Sequence, residues 1–379
     1  MHILIAPNAF KHSLSATDAA EAIQEGLRQS KASHTSECFP VGDGGNGTGH
    51  LIVKRCNGTL VPVAVHDPLG RPMEATFGLI DGGETAVVEM ADASGIHLLK
   101  PGELDPLRAT SFGTGELILA ALDKGVKKII VGMGGSATVD GATGILSALG
   151  VRFLQAGGQE LDVLPGALSS LTTVDLSGLD RRILDCELVV LCDVDNMLLG
   201  EQGSAAVFGP QKGATASVVR ELDRGLSVLS AVAAQQLSKD MAAVKYGGTA
   251  GGAAAGLYAF VNAKLVNGID HFLELTNFDA ALDRSDLVIT GEGSLDAQTL
   301  HGKGPFGVAY RAKRKGLPVV GIAGKVPLER NLALIEYFNV LLPLGHEPLD
   351  LDRALAYTKA NLIRTGESLG NLLVLLNHH

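Results

Sequence analysis

The chain reads as an α/β protein of two domains, each built on strands alternating with helices. Three observations predict this. At 379 residues it exceeds one ordinary hydrophobic core. Short apolar strands alternate with amphipathic helical stretches, the order that covers a mostly parallel sheet on both faces. Glycine makes up 48 of the 379 residues, about 13% against a usual 7% or so, and the glycines cluster after strands, with neither a collagen period nor low complexity.

The elements follow in order. "HILIAP" is a buried strand, and Ser15-x-x-Asp18 starts a helix whose Ala16, Ala19, Ala20, Ile23 and Leu27 share a face. Residues 60–92 read differently: Val61, Val63 and Val65 alternate, "DPLG" supplies a turn, and Met73, Ala75 and Phe77 alternate again, which predicts a β hairpin. The spacing then predicts a helix over 115–124, the strand "KKIIVGMG", a loop and helix in "GSATVDGATGILSALG", and the strand "ELVVLCDVD". Helices are predicted over 217–237 and 251–261. The last third offers the strand "DLVIT", broken at Gly291-Glu292-Gly293, a helix from Pro305 stopped by Gly316, and the strands "PVVGIAG" and "NVLLPL". No fixed period recurs, so this is not a repeat protein.

Composition excludes several classes. A formal charge of -10, 4% aromatics and no tryptophan argue against tracking a nucleic-acid backbone or stacking on its bases. Apolar residues are 46% of the chain, yet no run reaches the roughly 18 residues that cross a bilayer, so no membrane partner is expected. The start "MHILIAPNAFKHS" lacks a basic segment, apolar core and cleavage site for secretion. Cys38, Cys56, Cys186 and Cys192 show no metal-binding spacing and fit reduced core thiols. Together these point to a cytoplasmic protein. A homo-oligomer is compatible with the sequence, which does not specify one.

Five loops at strand ends hold the chemistry: "APNAFKHS", "VGDGGNGT", "VGMGGSATVDGATG", "CDVDN" and "TGEGSLDAQTLHGKG". In open α/β sheets ligands bind outside the carboxyl ends of the strands. Gly132, Gly134 and Gly135, before Ser136, read either as a tight turn or as a phosphate cradle handing an anion to a helix N-terminus. The run lacks a strict G-x-G-x-x-G and an acidic ribose partner, and no Walker A motif is present, since Gly304 follows Lys303. Asp193 and Asp195 stand two apart at a strand end, where persisting extended geometry puts both on one side. They read as solvated loop acids or as ligands for Mg²⁺, which takes carboxylates plus substrate phosphates.

In the last loop Gly291 and Gly293 flank Glu292, a carboxylate suited to metal or proton chemistry, with Asp296 and Lys303 beyond. Lys303 and Lys11 are solvated side chains or neutralise a transferring phosphoryl group. Arg71 is a turn arginine or a bidentate grip for a substrate carboxylate. His12, His50 and His301 show no ligand or triad spacing and read as structural or solvent-facing. Ser136 and Ser294 lack a G-x-S-x-G elbow, so covalent serine catalysis finds no support.

Taken together the chain resembles the bacterial-type glycerate kinase family over essentially its whole length. Eight stretches in order carry the likeness: "APNAFKHSLSA", "VGDGGNGT", "DPLGRP", "TSFGTGEL", "GMGGSATVDGATG", "CDVDNMLLGEQGSAAVFGPQKGA", "GGTAGGAAAGL" and "ITGEGSLDAQTLHGKGP". The resemblance implies D-glycerate and ATP as small-molecule partners, Mg²⁺ as cofactor, and 2-phosphoglycerate as product. It also implies a Rossmann-like or flavodoxin-like parallel-sheet domain from both chain ends, residues 1–60 plus 285–379, with a mixed α/β domain inserted at 61–284. The family commonly reads APDSFKGS where this chain has Asn8, Ala9 and His12, and has glutamate where this chain has Asn46. Asparagine is no base, so a carboxylate role at those two positions is in doubt.

The reading is therefore a Mg²⁺-dependent glycerate kinase working by in-line phosphoryl transfer in an interdomain cleft. Lys11, Asp193, Asp296 and Lys303 are expected to be catalytic, with Asp296 the preferred base. Asp43, Arg71 and Ser136 are expected to bind substrate, the five named glycines phosphate, and Asp193, Asp195 and Glu292 metal. Two alternatives remain: a kinase of another small hydroxy acid or polyol, prompted by Asn8, His12 and Asn46, and a non-catalytic nucleotide- or metabolite-binding regulator.

Overall fold

The computed structural model describes residues 1–162, 164–296, 299, 302–329 and 331–376. The chain folds as two units, Met1–Asp43 with Ile269–His379, and Gly44–Gly268.

The first unit carries a five-stranded parallel sheet in the order Val340–Pro343, Val319–Lys325, Leu287–Ser294, His2–Ile5, Thr35–Cys38. The two ends of the chain meet in mid-sheet, where Ile3, Leu4 and Ile5 pair with Leu287, Val288 and Ile289. These strands are continuous apolar runs because both faces are covered, and Ile3, Leu4, Ile5, Val288 and Ile289 are fully buried. Helix Ala16–Gln29 starts where Ser15 accepts from the Asp18 amide, as its sequence predicts. It crosses helix Thr358–Leu376 at a glycine contact: a Cβ on Gly26 would sit 2.0 Å from the Ile363 carbonyl oxygen. Leu27, Leu362 and Leu369 fill the space beside that crossing.

One difference matters for the site. The strand predicted to break at Gly291 runs on to Ser294, with Gly291 opposite Ile322 and Glu292 opposite Ala323. Gly291 is there for sheet packing, since a Cβ would lie 2.0 Å from the Ile322 carbonyl oxygen. Glu292 is thus held by ladder geometry rather than by a turn.

The second unit holds a six-stranded mixed sheet, ordered Lys264–Asn267, Glu187–Cys192, Lys128–Gly132, Thr85–Glu89, Pro72–Ile80, Thr59–His66. The first four strands are parallel, and the last two form the expected antiparallel hairpin with Val61, Val63 and Val65 opposite Phe77, Ala75 and Met73. A short pair, Arg152–Leu154 with Thr173–Asp175, lies apart from it. Helices Phe112–Asp123, Ala216–Leu237 and Ala253–Val261 match the three predicted from spacing to within a few residues. Val131, Ile145, Phe153, Leu226 and Leu257 belong to the core they share.

The units part at 43/44 and 268/269, whereas the family resemblance put the joins at 60/61 and 284/285. Packing explains the shift. Helix Thr48–Arg55 lays Gly49 against Glu89 and Val53 against Gly78 of the second sheet. Phe278 meets Phe39 edge-on at 4.9 Å, and Ile269 lies against Gly307, which ties residues 269–284 to the first unit. Among the described residues no helix is long and apolar enough to cross a membrane.

Candidate active site

In the first unit, parallel strands aim their carboxyl ends the same way, so the loops after His2–Ile5, Thr35–Cys38 and Leu287–Ser294 converge. Asn8 Nδ2 donates to Asp43 Oδ2 at 2.8 Å, and the Gly304 amide donates to the same oxygen at 3.3 Å. Asn8 and Asp43 are both buried. Glu292 lies nearby, its carboxyl accepting from Thr299 Oγ1 at 3.3 Å. Burial pushes its pKa up to about 7; Lys303 and Lys11 pull it down, and Asp43 adds to the rise. These couplings place Lys11, Asp43, Glu292 and Lys303 in one charge cluster. Asp296 is half-buried, accepting from Ser294 Oγ at 3.2 Å, with its own amide on Thr299 Oγ1 at 3.0 Å. Lys11 is exposed and Lys303 half-buried. Gly293 leaves open space, since a Cβ there would meet nothing nearer than the Lys11 amide at 3.9 Å. His12 is exposed in the loop after the first strand, and His301 lies outside the described residues.

The second unit gathers Gly132, Gly134, Gly135, Ser136, Asp193 and Asp195. Gly132 ends a central strand between Glu89 and Leu191. The turn after it does not feed a helix N-terminus directly, as its glycines suggested. The next helix, Thr143–Ala148, begins later, and buried Asp140 already takes the amides of Ala142 and Gly144 there, together with the amide and hydroxyl of Ser111. Burial raises the pKa of Asp140 against those hydrogen bonds. The Gly134 amide is also taken, by the Gly44 carbonyl at 2.9 Å, and a Cβ on Gly134 would collide with Gly45 and the Asn46 amide. Gly135, exposed at φ 73°, is the open point of the turn.

Asp193 and Asp195 follow the end of strand Glu187–Cys192, so no ladder enforces their alternation; Asp193 is half-buried and Asp195 exposed. Both are oxygen donors of the kind Mg²⁺ accepts alongside substrate phosphates. Glu292, the third expected ligand, belongs to the first unit. Arg71 is exposed and engaged, donating to Asp67 and, at 2.8 Å, to Glu103. Its Nη2 group makes no hydrogen bond among the described residues and is the donor left for a substrate carboxylate.

Three residues escaped the sequence reading. Glu89, to which the sequence gave no role, is buried beside Gly132 and accepts from the Gly47 amide at 2.7 Å and from the Gly49 amide. Burial raises it to about 7. It joins Asp92 and the exposed His50 in a group whose ligand atoms lie within 4.8 Å of one another, so His50 has carboxylate company that its spacing did not reveal. Lys212 is the third: its ammonium is buried and donates to Ser136 Oγ at 2.9 Å and to the Thr138 carbonyl at 2.7 Å. The nearest sequence signal was its place between glycines in "GPQKGA".

Comparison with known proteins agrees over the whole chain. Residues 3–374 match the model of the glycerate kinase family. A glycerate kinase of Bacillus subtilis (strain 168) is 43% identical over 369 residues, 97% of each chain. A glycerate 2-kinase of Escherichia coli (strain K12) is 41% identical, covering 99% of this chain and 98% of its own. A crystal structure from Salmonella typhimurium LT2, assigned as a glycerate kinase 2, superposes with a TM-score of 0.82 at 41% identity over 100% of both chains. A shared fold, ordered loops and identity sustained across both units lead to one conclusion: the chain belongs to the glycerate kinase family.

Proposed function

We propose that this enzyme transfers the γ-phosphoryl group of ATP to D-glycerate, giving 2-phosphoglycerate and ADP. Family membership supports kinase chemistry with ATP as phosphoryl donor. The 2-position follows the Escherichia coli relative, a glycerate 2-kinase. The observation that carries the reading is the charge cluster of the first unit, where Lys11 and Lys303 face buried Glu292 and Asp43. A kinase of this kind works by positioning and electrostatics, and needs fixed cations where negative charge moves.

In this reading Asp296 takes the proton from the attacking glycerate hydroxyl. That oxygen bonds to the γ-phosphorus as the bond to the ADP oxygen breaks. Lys11 and Lys303 stabilise the charge on the transferring group. Asp193 and Asp195 would hold Mg²⁺, which neutralises phosphate charge when bound. Asp43, Arg71 and Ser136 are assigned to substrate, and Gly132, Gly135 and Gly293 to making room for phosphate oxygens, whereas Gly134 and Gly291 are filled by neighbouring backbone. The four free cysteines and the bacterial relatives support a cytoplasmic setting.

The test is ADP release with D-glycerate, other small hydroxy acids and polyols as acceptors. Turnover with D-glycerate well above the panel supports the assignment. Preference for another acceptor redirects it, and ATP binding without turnover points to a regulator.

A further inference from the structure

Lys212 presents an energetic anomaly. A lysine 3% exposed pays a desolvation penalty that proteins normally offset with a paired carboxylate. Here, among the described residues, the ammonium makes two hydrogen bonds, to Ser136 Oγ and the Thr138 carbonyl, and no carboxylate reaches ion-pair distance. Burial lowers its pKa to about 8, while Asp140 and Asp193 act on it only at longer range, in the opposite direction. One of its three N–H donors has no partner among the described residues.

The groups around it are incomplete in the same sense. Ser136 Oγ accepts from Lys212, and its own hydrogen has no acceptor among the described residues. Thr138 Oγ1 is buried with no partner among the described residues. If Lys212 merely tethered the 136–138 turn, a neutral donor would do so at lower desolvation cost. A buried cation with a spare donor, next to a hydroxyl with a spare hydrogen, is what an oxyanion completes. The turn is exposed at Gly135, immediately before Ser136, which gives a ligand oxygen an approach.

We propose that Lys212 Nζ and Ser136 Oγ form an anion subsite that receives a carboxylate or phosphoryl oxygen of a bound substrate. Lys212 supplies the counter-charge, and by donating to Ser136 it turns the hydroxyl hydrogen toward the ligand. The inference rests on the glycerate and ATP reading for its two candidate ligands, and it adds a residue to which that reading gave no role.

The experiment is equilibrium binding by calorimetry on the full chain, with D-glycerate and a non-hydrolysable ATP analogue titrated separately into the wild type, Lys212→Met and Ser136→Ala. A charge-assisted hydrogen bond sets the scale, so Kd for one ligand should rise about 10- to 100-fold in Lys212→Met, and less in Ser136→Ala. The other ligand should stay within about twofold. Selective loss of glycerate identifies a carboxylate subsite; selective loss of the analogue identifies a phosphoryl subsite. Unchanged binding of both ligands in the variants, or equal weakening of both, overturns the subsite while the kinase reading stands. A wild type that binds neither ligand overturns both. Should Lys212→Met fail to fold, Ser136→Ala decides by the same criteria.

Discussion

Asn8 Nδ2 donates to Asp43 Oδ2 at 2.8 Å, in a pair of buried side chains one step from Glu292. The Asn8 amide is the group that keeps a second carboxylate off Asp43. Asn8→Asp should therefore set two carboxylates against each other and raise the pKa of the pair. A raised carboxylate pKa costs nothing below the unfolded value and destabilises as pH rises through the folded value. We expect a loss of about 2 kcal/mol at pH 8 that largely disappears at pH 4.5, read by urea melts. Equal stability of variant and wild type at pH 8 would contradict the contact.

Glu292 carries a similar signature. Its folded pKa of about 7 lies above the ordinary 4.5, so its contribution to stability is present below pH 4.5 and is lost as pH climbs to about 7. Glu292→Gln removes the titration. The melting temperature of the variant relative to wild type should therefore rise between pH 5 and pH 8. A flat difference across that range would mean the carboxyl is not held up by burial.

Asp140 ties two segments together by accepting from the Ser111 amide and hydroxyl and from the amides of Ala142 and Gly144. Asp140→Ala strands these buried donors and removes a negative charge felt by Lys212. The expected loss is about 3 kcal/mol or more, measured by denaturant unfolding. A loss below about 1 kcal/mol would show that the network is dispensable.

Much of this fold was legible in the sequence because its signals are local. The alternating valines wrote the hairpin, Ser15 wrote its helix start, and the unbroken apolar runs wrote the parallel strands. Gly291 misled because glycine signals a turn, whereas here it admits the Ile322 carbonyl of a neighbouring strand. The turn glycines left a tight turn and a phosphate cradle both open, and Asp140 takes the helix N-terminus on which the second depended. Glu89 and Lys212 stayed hidden because their environments come from residues distant in the chain: Gly47 and Gly49 for the first, Ser136 and Thr138 for the second. A side chain's burial is a property of the packed fold, and spacing along the sequence does not report it.

Asp193 and Asp195 differ in burial, so their loss should differ too. Asp193→Asn should raise the Mg²⁺ concentration for half-maximal activity by more than the roughly tenfold typical of losing a supporting partner, and exposed Asp195→Asn should raise it less. An unchanged Mg²⁺ requirement in both variants would remove them as metal ligands.

The most direct measurement follows turnover and product together: ³¹P NMR of ATP, Mg²⁺ and D-glycerate with the wild type, Asp296→Asn and Lys11→Ala. The wild type should form 2-phosphoglycerate and ADP in equal amounts, and each variant should retain its fold while losing about 100-fold or more in kcat. No glycerate-dependent phosphate ester from the wild type would contradict the assigned reaction, and wild-type rates in both variants would contradict the roles given to these two side chains.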